Sequence, residues 1–173
     1  MSSNQKSGLF LKECMADALV QLMKTTEFSK ITVNEIAETA GVNRSTWFRS
    51  FKNKGDALTF KLVQMWLRWV DKHNVNTSPV YTPQNALDFF RFCYENRTLF
   101  HNLIEKGLQS VIYEAFFIVM NPQFSSDTSV KYKSCCLTYG LIGVLGEWNR
   151  RDFQETPDEL AEILQSFFKA QIT

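Results

Sequence analysis

Little in these 173 residues could hold a metal ion or break up a helix: there are four cysteines, two histidines, seven glycines and four prolines. Cys14, Cys93, Cys135 and Cys136 form no C-x-x-C pair, and no histidine stands at ligand spacing from another Cys or His. No metal centre or redox pair is therefore expected, and the thiols read as small buried hydrophobes. A Gly-rich phosphate loop is missing, and neither His73 nor His101 has a nucleophile at a local spacing, so neither an enzyme nor a cofactor is expected. Basic and acidic residues nearly cancel, 19 against 18, and bulk charge points to no partner. Polar residues interrupt every apolar stretch short of membrane-spanning length, and no signal-peptide run opens the sequence. These absences predict a cytoplasmic protein with no membrane partner.

What is abundant is aromatic and helical. Fifteen Phe, five Tyr and four Trp accompany 45% hydrophobic residues overall. Leu11, Met15, Ala18, Leu19 and Leu22 fall on one face of a helix. Thr32-Val33-Asn34-Glu35 is a capping box that opens a short helix ending at Gly41. Asn43 can cap a second short helix reaching about Ser50. A longer helix starts at Asn53-Lys54-Gly55-Asp56 and aligns Leu58, Leu62, Met65 and Trp69. Residues 74–82 read as a linker. Thr82-Pro83 then starts a helix to about Glu95, followed by helices over 97–106 and 108–120. A loop at 121–127 leads to a long helix over 128–150, and Thr156-Pro157 starts the last one, 157–171. No hairpin signal or repeat appears. The fold class is all-α, with about nine helices.

Residues 32–50 carry the informative pattern. Two short helices joined by Ala40-Gly41-Val42-Asn43, with Ile36, Ala37, Val42 and Phe48 available to pack between them, have the geometry of a helix-turn-helix, whose second helix enters the DNA major groove. Charge agrees: Arg44, Arg49, Lys52 and Lys54 lie between Asn43 and Lys54 with no acidic residue among them. A basic edge on a neutral chain suits double-stranded DNA as a partner. Arg44 can fork onto guanine or onto phosphate. Ser45 and Thr46 suit base edges or phosphate, and Trp47 an apolar contact with the DNA backbone or a thymine. Lys54, at the first turn of the next helix, is expected to hold a phosphate, as is Thr32 if capping leaves its hydroxyl free.

The run from Ile31 to Leu58, with its Thr-led helix, Ile36-Ala37, Ala40-Gly41-Val42, Ser45-Thr46, the aromatic cluster and then Lys54 and Leu58, resembles the DNA-binding domain of the TetR family of regulators. The resemblance covers about residues 9–58. It implies a DNA-binding domain at 1–58, with Thr32, Val33, Asn43, Arg44, Ser45, Thr46, Trp47, Phe48, Arg49, Lys52 and Lys54 at the interface. It also implies a ligand-binding and dimerisation domain at 59–173, and a homodimer on a palindromic operator. Phe48 stands where Tyr is usual, which removes a phenol–phosphate contact, and Ser50 where Tyr or His is frequent.

The remaining two thirds admit two readings. Trp66, Phe89, Phe90, Cys93, Tyr94, His101, Tyr113 and Phe117 can line an apolar pocket for a small-molecule effector, or simply form core. The stripe Leu137, Leu141, Val144, Leu145 and Trp148, continued by Leu160, Leu164, Phe167 and Phe168, can form a two-fold interface or an intramolecular crossing. Gly140, Gly143 and Gly146 weaken their helix, so a close backbone neighbour would rationalise them. The resulting expectation is a repressor released from its operator by a small ligand. The alternative is a regulator controlled by a partner protein docked on the C-terminal domain, with weak or partner-dependent DNA binding.

Overall fold

The computed structural model describes residues 3–75, 83–120 and 127–170. Among them are nine helices and no strand: α1 Ser3–Leu22, α2 Val33–Thr39, α3 Arg44–Ser50, α4 Lys54–His73, α5 Pro83–Glu95, α6 Arg97–Glu105, α7 Gln109–Met120, α8 Thr128–Arg150 and α9 Pro157–Ala170. The expected linker at 74–82 and loop at 121–127 fall almost wholly outside the described residues. Among the described residues no helix is long and apolar enough to cross a membrane, and no group of His, Cys, Asp and Glu could hold a metal ion.

The chain divides into two compact units, Met1–Gln64 and Met65–Thr173, and the division falls within α4. In the first unit α1 packs on both α2 and α3, and α2 on α3. Its core is Met15, Ala16, Leu19, Ile36, Ala37, Trp47, Phe51, Ala57, Leu58 and Leu62. Ala37 is buried where the two short helices meet, and a small side chain there permits their close approach. Lys61 of α4 pairs with Asp17 of α1.

In the second unit α5 packs on α9, α7 on α8, and α6 on α5, α7 and α8. Among the described residues the buried rings of Trp66, Phe89, Phe92, Phe100 and Phe116 pack against one another. The Phe89 and Phe116 ring centroids lie 4.6 Å apart, Trp66 meets Phe92 edge-on at 5.2 Å, and Phe90 meets Trp148 edge-on at 5.8 Å. Edge-to-face pairs at such spacings are favourable beyond the area they bury. Arg91 of α5 reaches Asp158 of α9 at 3.1 Å, and the Trp148 indole donates to the Glu155 carbonyl at 3.0 Å. The Thr156–Glu159 box caps α9, with the Glu159 carboxylate accepting from the Thr156 amide at 2.7 Å.

Candidate nucleic-acid interface

The turn between α2 and α3 is built by two local devices. Thr32 caps α2: its hydroxyl accepts from the Glu35 amide at 3.2 Å, while the Glu35 carboxylate accepts from the Thr32 amide at 2.7 Å. These hydrogen bonds favour the ionised carboxylate, the Thr32 hydroxyl contributing most, and hold Glu35 below the usual carboxylate range. At the other end Gly41 takes φ +65°, which L side chains rarely adopt, and the Val42 amide returns to the Ala37 carbonyl at 2.9 Å. The chain reverses there, and α3 starts after Asn43.

Helix α3 presents two distinct faces. Inward, Trp47 is 1% exposed and lies 5.2 Å from Phe51, whose ring in turn lies 5.7 Å from Phe60. Outward stand Arg44, Ser45, Phe48 and Arg49, with Phe48 59% exposed. The Arg44 guanidinium carbon lies 5.2 Å from the centre of the Phe48 ring. Arg49 reaches the Thr46 hydroxyl at 3.4 Å, and the Ser50 hydroxyl donates to the Thr46 carbonyl at 2.7 Å. Asn43 caps α3 through backbone geometry alone, making no side-chain capping bond, so its exposed amide stays available. Lys52 is exposed, and Val33 is half-buried.

Three expectations from the sequence are corrected here. Trp47 is core and cannot touch DNA: with Phe51 one turn on, it forms the inward stripe of α3, and Phe48 takes the outward place. The Thr32 hydroxyl is spent on Glu35 in both directions, donating to the carboxylate at 2.7 Å as well as accepting. Lys54 is not a free ammonium. It donates to the carbonyls of Phe28, Ser29 and Ile31, the last at 2.7 Å, and sits over the Phe28 ring at 4.7 Å.

In the second unit the residues expected to line a pocket separate into two sets. Trp66, Phe89, Phe90 and Cys93 are buried, and burial pushes the Cys93 thiol well up from its ordinary value. The others lie nearer the surface. Tyr94 stacks on Trp148 at 5.7 Å, and His101 Nδ1 lies 3.0 Å from the Asn149 side-chain oxygen. Tyr113 stacks on Phe117 and on Tyr139, the latter at 4.2 Å, and approaches the Cys135 sulfur at 4.0 Å. Desolvation first, then the Tyr139 and Cys135 contacts, raises the Tyr113 phenol above its ordinary range. Tyr139 and Asn149 carry no local sequence signal, because their partners Tyr113 and His101 lie on other helices.

The expected interface stripe is also corrected. Leu141, Leu145, Trp148 and Leu160 are buried within the chain and leave little surface for a second copy to cover. Leu137, Val144 and Leu164 are half-buried, and the Phe167 and Phe168 side chains lie outside the described residues. The inward face of α8 is Ser134, Thr138, Leu141, Leu145 and Trp148. Its first two members are polar, which hid the register. Thr138 is accommodated because its hydroxyl donates to the Ser134 carbonyl at 2.8 Å. The outward face carries Tyr132, Cys136, Tyr139, Gly140 and Gly143. A Cβ added at Gly140, Gly143 or Gly146 would meet nothing within 4 Å, so no backbone among the described residues explains these glycines.

Comparison with known proteins adds two kinds of likeness. Residues 16–58 match the model described as bacterial regulatory proteins, tetR family, and residues 82–170 match one described as a transcriptional regulator C-terminal region. The HTH-type dhaKLM operon transcriptional activator DhaS of Lactococcus lactis subsp. lactis (strain IL1403) is 24% identical over 119 residues, 67% of this chain and 59% of that protein. A solved structure of a dihydroxyacetone kinase operon activator DhaS superimposes with TM-score 0.53 at 18% identity, over 94% of this chain and 96% of that one. This second likeness concerns the fold.

Proposed function

The chain belongs to the tetR family of bacterial regulatory proteins, and from that premise we propose that it binds a palindromic operator in the cytoplasm as a homodimer. In this reading residues 1–58 form the DNA-binding domain and 59–173 the ligand-binding and dimerisation domain. A small effector in the second would release the first, by favouring one of two conformations of the dimer. The observation that carries the proposal is the outward face of α3, where Arg44, Ser45, Phe48 and Arg49 are all exposed on a helix anchored from behind by Trp47. Arg44 serves base edges. Arg49, Lys52, Ser45 and Asn43 serve phosphates and sugars, which position the helix without reading sequence. The DhaS relative carries the name of an activator, whereas the sequence pattern favours a repressor. Either sign of control uses the same operator contact, and operator position relative to the promoter sets the sign.

The second copy has a natural seat on the outward face of α8, where Gly140 and Gly143 leave open space beside Tyr132 and Tyr139. Control by a docked partner protein is the second reading. The full burial of Phe89 and Phe90 in ring-on-ring packing favours it, since it leaves those side chains committed to one another. Enrichment of random duplex DNA on the purified chain tests the proposal. Palindromic winners with two half-sites about one helical turn apart, about 34–36 Å, support it, and a pool with no enriched sequence overturns it. Small molecules that weaken binding to the winner favour an effector over a partner protein.

A further inference from the structure

We propose that Arg44 and Phe48 act as one reading unit, recognising a guanine together with a thymine in the neighbouring base pair. The inference rests on the assignment of α3 as the DNA-reading helix and goes beyond it to a specificity.

Arg44 and Phe48 are one turn apart on the same exposed face, with the guanidinium carbon 5.2 Å from the ring centre, inside the range of cation–π attraction. This contact limits the freedom of the Arg44 side chain before DNA arrives, so less is lost when its planar fork engages a base. A guanidinium donating to both O6 and N7 of guanine lies in the plane of that base. Its two faces then look along the DNA axis toward the neighbouring pairs. A ring held against one of those faces is carried to the edge of the next base pair, one step of about 3.4 Å along the strand. That edge offers an apolar group only where it holds thymine, whose C5 methyl projects into the major groove. Phe48 has no hydroxyl to place on a phosphate, so the methyl is the partner its chemistry fits. Its 59% exposure also means that its contribution to folding is small.

The test uses the duplex enriched by the full-length protein, with each thymine in turn replaced by deoxyuridine and each guanine by 7-deazaguanine. Deoxyuridine removes only the methyl, and 7-deazaguanine only the N7 acceptor. The expected result is one thymine per half-site whose demethylation weakens binding about fourfold, the factor that burying one methyl carries. Its neighbouring guanine should be the position most sensitive to 7-deazaguanine. In Phe48→Ala the thymine effect should vanish while the guanine effect persists, and in Arg44→Ala the guanine effect should vanish. Thermal unfolding of both variants at the wild-type temperature establishes that α3 is intact, and Phe48→Gln, which lacks the ring but is a good helix former, serves should Phe48→Ala unfold. An enriched duplex whose affinity ignores thymine methyls, or an equal thymine effect in wild type and Phe48→Ala, overturns the pair while leaving DNA reading by α3 standing. Failure to enrich any sequence overturns both.

Discussion

The Lys54 ammonium donates to the Ile31 carbonyl at 2.7 Å, and this bond ties the first residue of α4 to the segment that leads into α2. With the Phe28 and Ser29 carbonyls also accepting, all three ammonium protons have oxygen partners. The lysine holds the turn before the helix-turn-helix, and no proton remains for a phosphate.

Replacing Lys54 by Met should therefore act through stability. Hydrogen bonds to a charged donor are worth about 1.5–3 kcal/mol, so unfolding should shift by about 2 kcal/mol in chemical denaturation. The dependence of DNA affinity on salt should stay unchanged, whereas losing a phosphate contact would reduce the slope of log K against log salt by about 1.

Trp47 and Phe48 are sequence neighbours with opposite duties. Trp47→Ala should cost about 3–5 kcal/mol, the usual range for emptying a buried aromatic site. Phe48→Ala should leave the melting temperature within about a degree or two, because little of its surface is buried. Calorimetry of the two variants side by side checks the assignment of the two faces of α3.

Those two faces mark where the sequence was legible and where it was not. The capping box at Thr32–Glu35, the reversal at Gly41 and the Pro83 and Pro157 starts are local signals, and the helices they predict lie where the structure has them. What failed depended on contacts across helices. Trp47 and Phe48 are both large aromatics, and choosing which turns inward requires knowing where α1 and α2 sit. In α8 the inward register begins with Ser134 and Thr138, whose polarity disguises it, and most of the apolar stripe packs wholly or partly within the chain. The role of Lys54 depends on carbonyls more than twenty residues away, which no spacing rule reports.

Acid should loosen both capping boxes. Glu35 and Glu159 have pKa values lowered from the ordinary value of 4.5 by their hydrogen bonds to Thr32 and Thr156. A carboxylate whose folded pKa is depressed contributes fully above its unfolded pKa, and that contribution is lost as pH falls through the folded value. Wild type should therefore melt above Glu35→Gln at neutral pH, with the gap closing below pH 4.5. A gap that stays constant into acid would mean that the charge on Glu35 has no part in the cap.

Gly143→Arg tests the proposed seat of the second copy. In the isolated chain the change should be harmless or slightly stabilising, since its Cβ meets nothing within 4 Å and arginine is the better helix former by up to about 1 kcal/mol. In a dimer that brings α8 against its mate, a long charged side chain at this position should drive the protein to monomer in sedimentation and abolish tight binding to a palindrome. An unchanged dimer would move the interface elsewhere.

The most direct test of DNA reading by α3 compares wild type with Arg44→Ala on the enriched duplex and on a scrambled duplex of equal length, each across a salt series. A bidentate contact to guanine is worth about 1–3 kcal/mol of discrimination. Arg44→Ala should therefore lose roughly tenfold or more on the enriched duplex, little on the scrambled one, and the ratio between the two should collapse. Equal losses on both duplexes, with a shallower salt slope, would place Arg44 on the phosphate backbone and contradict the account.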